Sequence, residues 1–315
     1  MTMTDQPPRT AGIDKERLRR KYLEERDKRL RPDGNDQYLE VKGRFGHYLD
    51  DPYTPVTARA PKTDHVTFAF VGGGFAGLVT AARLVEAGVG DVRIIEKGGD
   101  FGGTWYWNRY PGAQCDVESY IYLPLLEETG YIPKEKYSFA AEIRDHARRI
   151  GETFDLYRLA CFQTELKELR WLEDEARWLV TTNRDDAFKA RFVVMSNGPL
   201  NRPKLPGIPG IASFKGHSFH TSRWDYNYTG GTPLGGLDKL ADKRVAIIGT
   251  GATGIQCIPH LGNSAGHLYV FQRTPSSIDE RRQSATDPSW WKSLQKGWQA
   301  DRNDNFTKLL VGVPV

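Results

Sequence analysis

HVTFAFVGGGFAGLVTAARLVEAG, residues 65–88, runs from an apolar, β-branched and aromatic stretch through three consecutive glycines into an Ala- and Leu-rich segment of helical period. DVRIIEKG follows at 91–98. That order predicts strand, tight turn, helix and strand, which is one βαβ unit. Gly72, Gly74 and Gly77 stand at G-x-G-x-x-G spacing directly after the first strand. In such a turn Gly72 permits the sharp bend, Gly74 lets a pyrophosphate approach the backbone and Gly77 lets helix and strand pack closely. Phe75 and Ala76 then sit at the helix N-terminus, where unpaired amides and the helix dipole favour an anion. Glu96, 19 residues after Gly77 and next to Lys97, ends the second strand, where a carboxylate suits ribose hydroxyls. Glycines also make plain turns, so the reading rests on strand, helix and acid falling in register.

KRVAIIGTGATGIQCIPHLG at 243–262 and HLYVFQRTP at 267–275 repeat the architecture. Gly249, Gly251 and Gly254 keep the spacing, with Thr250, Ala252 and Thr253 between them, but the residue 19 further on is Arg273, followed by Thr274. A guanidinium pairs with a 2′-phosphate through charge-assisted, often bidentate bonds. This points to NADP rather than NAD; the plainer reading is a surface arginine at a strand end. One acidic and one basic ribose position suggest FAD in the first unit and NADPH in the second, with hydride passing from nicotinamide to flavin.

The 315 residues suit two domains. Lys and Arg total 44 against 40 Asp and Glu, interspersed, which gives no case for nucleic acid. Cys115, Cys161 and Cys257 are odd in number and widely spaced, neither a disulfide framework nor a zinc pattern, and no metal site is expected. The start has no signal-type apolar core and no apolar run approaches membrane-spanning length, so the expectation is a soluble cytoplasmic protein without membrane partners. Residues 14–33 carry nine basic and six acidic side chains around Leu18, Tyr22 and Leu30, predicting a charged helix outside the main fold that ends at Pro32-Asp33-Gly34. Residues 35–64 read as irregular. A helix is expected over 141–154, and FQTELKEL, RWLVTTN and FKARFVVMSNG read as successive strands. The resulting expectation is an α/β fold of two Rossmann-like dinucleotide-binding domains, the second truncated, with a helical N-terminal extension. Its segments are 1–64 (extension), 65–198 (FAD-binding), 199–241 (linker) and 242–315 (NADP-binding, incomplete).

Two longer patterns carry a family resemblance. FKGHSFHTSRWD at 214–225 fits F-x-G-x-x-x-H-x-x-x-W-P/D through Phe214, Gly216, His220, Trp224 and Asp225. GGTWYWNRYPGAQCD at 102–116 fits A/G-G-x-W-x-x-x-x-F/Y-P-G/M-x-x-x-D through Gly102, Gly103, Trp105, Tyr110, Pro111, Gly112 and Asp116. With both glycine turns, residues 66–275 resemble the type I Baeyer–Villiger monooxygenases, class B flavoprotein monooxygenases. Related flavin-containing N- or S-oxidising enzymes share the turns but carry another aromatic where Trp224 stands.

The resemblance implies that NADPH reduces FAD, that the reduced flavin reacts with dioxygen, and that the C4a-peroxide attacks a ketone to give an ester or lactone. It places Thr104, Trp105, Tyr106 and Trp107 along the flavin, Tyr122 beside it and Leu166 near the adenine end, with Gln114 and Cys115 adjoining. Ordinary core packing is the usual alternative for such aromatics. Asp116 would position and tune an active-site arginine; without the resemblance it reads as a turn or cap residue. His220 is open to three readings: a structural hydrogen-bonder, a hinge sensor of NADP, or an acid–base group, the first two favoured because no motif neighbour supplies an orienting carboxylate. The family's arginine lies well beyond the second turn, and Arg281 and Arg282 come too early for it. The chain therefore reads as the front of a longer enzyme or a truncated frame. An N- or S-monooxygenase and a catalytically incompetent nucleotide-binding fragment are the alternatives.

Overall fold

The computed structural model describes residues 12–312. Helix α1 (Lys15–Asp27) is capped by Asp14, whose carboxylate accepts from the Arg17 amide, and buries none of its residues. It stops before the expected Pro32: with no buried face to hold a further turn, residues after Asp27 tighten into short-range bonds such as Arg29 N to Arg26 O. The stretch expected to be irregular contains strand β1 (Tyr38–Glu40), which pairs antiparallel with β8 (Lys204–Pro206) over a small core of Val41, Tyr48 and Leu205.

The first βαβ unit consists of β2 (His65–Val71), α2 (Phe75–Glu86) and β3 (Val92–Ile95). A six-stranded sheet runs in the order β4-β3-β2-β7-β6-β5, with β4 (Ala160–Cys161), β5 (Leu166–Leu172), β6 (Arg177–Thr182) and β7 (Ala187–Met195). β4, β3, β2 and β7 are parallel, and β7, β6 and β5 form an antiparallel meander. Adjacent residues of a strand face opposite sides. Ala69 and Phe70 of the central strand are accordingly both fully buried, Phe70 against Leu78, Ala81 and Ile150, Ala69 against Val180 and Phe188. Burying a side chain as large as that of Phe70 contributes about 1.5–3 kcal/mol.

Between β3 and β4 come the single-turn helices α3 (Thr104–Trp107), α4 (Ser119–Tyr122) and α5 (Leu126–Thr129), then α6 (Ala140–Thr153). α6 turns Ile143, Ala147 and Ile150 inward at the helical period. After β8, the short α7 (Tyr226–Thr229) leads to the second βαβ unit, β9 (Arg244–Ile248), α8 (Ala252–Ser264) and the parallel β10 (His267–Phe271). A separate core unites the two units: Trp224 packs with Tyr110 and Ala113 of the first and Ile247, Cys257 and Leu261 of the second. The tail forms α9 (Pro288–Ser293) and α10 (Trp298–Leu310) and docks back on the first unit, where the buried Gln299 accepts from the Leu126 amide at 2.9 Å and donates to the Leu123 carbonyl at 2.7 Å.

Candidate cofactor sites

The two glycine turns are built alike. A Cβ on Gly77 would lie 2.1 Å from the Gly72 carbonyl oxygen, and one on Gly254 would lie 2.5 Å from the Gly249 oxygen, so the third glycine of each turn is demanded by the first. Gly72 and Gly249 both have positive φ, +120° and +100°. The middle glycines differ: a Cβ on Gly74 would meet only Gly103 backbone, no nearer than 3.5 Å, and one on Gly251 would meet nothing within 4 Å. Left-handed backbone at Gly72 and Gly249 and close contact at Gly77 and Gly254 account for the outer glycines, whereas Gly74 meets only ordinary contact and Gly251 none, each at a helix N-terminus that no side chain caps. That arrangement fits a pyrophosphate in each turn.

At the first turn the open space is a cavity of about 350 Å³. Gly72, Gly74, Phe75, Ala76, Glu96, Lys97, Gly103, Thr104, Trp105, Trp107, Tyr122 and Leu166 line it. Its size falls in the range of small-molecule pockets. Glu96 is anchored by the turn itself: one carboxylate oxygen accepts from the Gly73 amide and the other from the Gly98 amide, each at 2.6 Å. Burial pushes this carboxyl up, and the amides of Gly98 and Gly73 pull the other way. Each oxygen keeps a further lone pair for a ribose hydroxyl. Gly103, at φ +53°, packs against Gly74 and so sets the aromatic wall beside the turn; Trp105 Nε1 donates to the Tyr122 hydroxyl at 2.8 Å.

Several expected residues lie elsewhere. Gly77 is tucked beneath the turn. Tyr106 does not line the cavity: it is fully buried, and its hydroxyl bonds Thr54 at 2.8 Å and the Asp51 carboxylate, because the N-terminal segment covers this side of α3. Gln114, Cys115 and Asp116 are also outside the cavity. They join the two units instead: Gln256 Nε2 donates to the Gln114 carbonyl at 2.8 Å, and Arg281 donates to the Cys115 carbonyl at 2.8 Å and to Asp116 at 3.0 Å. Asp116 borders a second cleft of about 450 Å³ with Tyr137, Arg302 and Phe306.

Thr164, Glu165, residues 195–198, Leu200 and Asn201 also line the first cavity, and no motif in the sequence marks them. Their signal was positional: most follow the carboxyl ends of parallel strands, where open α/β sheets bind ligands.

In the second unit Thr250 accepts from Gln272 and Thr274 offers its carbonyl towards the Thr250 hydroxyl at 3.4 Å. Ala252 and Thr253 open α8, and Arg273 is exposed beside β1. In the linker, His220 Nδ1 accepts from the Ser222 amide at 3.2 Å and meets the Ser222 hydroxyl at 2.8 Å, capping the turn that holds Trp224. Burial, with the nearby Arg223 charge, brings its pKa down to about 4. Trp224 is buried and donates to Thr229 at 3.1 Å, and Asp225 caps α7 through the Tyr228 amide. Phe214 is exposed, and its ring lies where a Cβ on Gly216 would stand. Among the described residues, no cluster of His, Cys, Asp and Glu is arranged for a metal, and no helix is long and apolar enough to cross a membrane.

Fold and site together define an α/β protein with two Rossmann-like dinucleotide-binding units. A family model for the NAD(P)-binding Rossmann-like domain matches residues 71–129. Neopentalenolactone D synthase of Streptomyces avermitilis is 57% identical over 302 residues, covering 96% of this chain and 51% of that protein. A Baeyer–Villiger monooxygenase of Streptomyces coelicolor is 54% identical over 299 residues, covering 95% and 50%. Among solved structures, a polycyclic ketone monooxygenase from the thermophilic fungus Thermothelomyces thermophila aligns with a TM-score of 0.89 at 41% identity, covering 93% of this chain and 50% of that one. The chain spans about half the length of the relatives it matches. Over that half it is similar to proteins named Baeyer–Villiger monooxygenase.

Proposed function

We propose that this chain holds FAD at its first glycine turn and NADPH at its second, and serves a monooxygenase that inserts one atom of O₂ next to a ketone carbonyl to give an ester or lactone. The observation that carries this reading is the shared geometry of the two turns, in which left-handed backbone or close contact accounts for the first and third glycines and neither accounts for the middle one. The chemistry supplied by the bound cofactors is hydride transfer from nicotinamide to flavin and activation of dioxygen.

The residues of this chain bind, orient and shield. Amides at the start of α2 and α8 face the pyrophosphates, Glu96 accepts from the ribose hydroxyls at the first turn, and Arg273 with Thr274 meets the 2′-phosphate at the second. Trp105, Trp107 and Tyr122 would form an aromatic wall along the bound cofactor, lowering the screening of charges held there. Asp116 is a positioning residue held by Arg281. Under this reading residues 1–64 are an extension, 65–198 the FAD-binding segment, 199–241 the linker and 242–315 the NADP-binding segment. Cys115, Cys161 and Cys257, all buried free thiols, support a reducing, cytoplasmic setting.

The test is reconstitution with FAD, followed by NADPH oxidation across a ketone panel with ester analysis. Bound yellow flavin and ketone-stimulated ester formation are expected. Folded protein that refuses FAD would overturn the reading, and turnover of amines or sulfides alone would move it to the N- or S-monooxygenases.

A further inference from the structure

Arg273 does not stand alone at the end of β10. One terminal nitrogen donates to Gln37 Oε1 and the other lies 3.5 Å from the Tyr38 hydroxyl. Gln37 is itself fixed: its side-chain amide donates to the Gly34 carbonyl at 2.5 Å, and its backbone carbonyl accepts from the Gly207 amide at 2.8 Å. The next residues pair with β8, and a Cβ on Gly207 would come within 2.6 Å of the Gln37 oxygen, so a glycine is what allows the two segments to meet. The Gln37–Arg273 contact joins parts of the chain 236 residues apart.

We propose that Gln37 is a positioning residue for Arg273, so that the N-terminal segment, outside both dinucleotide-binding units, forms part of the site that selects a 2′-phosphorylated coenzyme. The inference rests on the reading that the second turn takes NADPH. A carboxamide is neutral. It orients the guanidinium without cancelling its charge, and of five N–H donors it engages one, leaving others for a bidentate grip on phosphate. An arginine already ordered gives up less rotamer freedom when the phosphate arrives.

The experiment is calorimetric binding of adenosine 2′,5′-bisphosphate and of adenosine 5′-monophosphate, which differ only in the 2′-phosphate, to the FAD-loaded full chain and to its Gln37→Ala, Gln37→Glu and Arg273→Ala variants. Gln37→Ala is expected to weaken the bisphosphate about two- to tenfold, the range set by freeing one long side chain. Monophosphate affinity is expected to stay at the wild-type value, which also certifies the fold. Gln37→Glu is expected to weaken the bisphosphate more than Gln37→Ala does, because a carboxylate competes with phosphate for the same guanidinium. In an Arg273→Ala background, Gln37→Ala should cost nothing further. Unchanged or tighter bisphosphate binding in Gln37→Ala would overturn the inference while leaving the NADPH reading intact. A wild type with no preference for the bisphosphate would remove both.

Discussion

The carbonyl oxygen of Gln256 lies 2.6 Å from the position a Cβ on Gly112 would occupy, so a helix of the second unit rests directly on backbone of the first. Gly112 is also left-handed at φ +80°, and its neighbour Tyr110 donates to the Gln256 side chain at 2.9 Å. The glycine of the YPG motif is there for this approach.

Gly112→Ala is therefore expected to separate α8 from residues 110–116. The clash with backbone and with the His260 ring costs about 1–3 kcal/mol, the usual range for overpacking. A lowered Tm and faster hydrogen exchange at Gln114 and Gln256 would be measured; a wild-type Tm would contradict the docking argument.

The two glycines of the first turn should separate stability from binding. Gly77→Ala drives a Cβ into the Gly72 oxygen and is expected to lower Tm by several degrees, consistent with about 1 kcal/mol or more. Gly74→Ala meets only ordinary contact, so Tm without cofactor should stay put while FAD affinity falls at least about tenfold, the equivalent of 1.4 kcal/mol. Equal effects of the two substitutions on Tm would refute this division.

Trp224 ties three parts of the chain into one core, and Trp224→Ala is expected to cost about 3–5 kcal/mol. Trp224→Phe keeps an aromatic ring but loses the bond to Thr229, about 1 kcal/mol. Denaturant titration distinguishes the two; a loss below 1 kcal/mol for the alanine variant would mean that the shared core is not a stabilising unit.

His220 gives the linker a pH dependence of calculable sign. Its folded pKa, about 4, lies below the ordinary histidine value, so the unfolded chain binds the proton first as pH falls. The stability from this group is whole above pH ~6.5, declines by up to about 1.4 kcal/mol per pH unit below that, and is gone once pH passes its folded pKa. Protonation of Nδ1 also removes the acceptor that caps the Ser222 amide. His220→Asn, which keeps a capping side chain without a titrating ring, is expected to flatten the stability profile in that window. An unchanged profile would assign the acid sensitivity elsewhere, His146 being the other histidine whose pKa burial lowers to about 4.

Much of this architecture was legible because glycine spacing and strand composition are local signals. The two turns, the strands flanking them and the helix over Ala140–Thr153 follow from residues within one element of each other. What escaped was set by distant contact. Tyr38–Glu40 is too short to read as a strand until Lys204–Pro206 supplies its partner. In TWYW, nothing in the sequence says which aromatics face the cavity; Tyr106 turns away because its hydroxyl donates to Asp51 and bonds the Thr54 hydroxyl, some 50 residues earlier. The sequence shows only how far Arg281 lies from the second turn; its place beside Asp116 depends on how the segment after β10 folds back across the first unit.

The bond between Tyr48 and Ser218 spans 170 residues, and β1 meets β8 over a similar gap. At ribosomal rates of about 5–20 residues per second, the opening segment waits on the order of ten to thirty seconds for its complement to be synthesised. During that interval the nascent chain carries an unpaired strand edge, making these early residues natural clients for a chaperone and slow to become protected in co-translational pulse labelling.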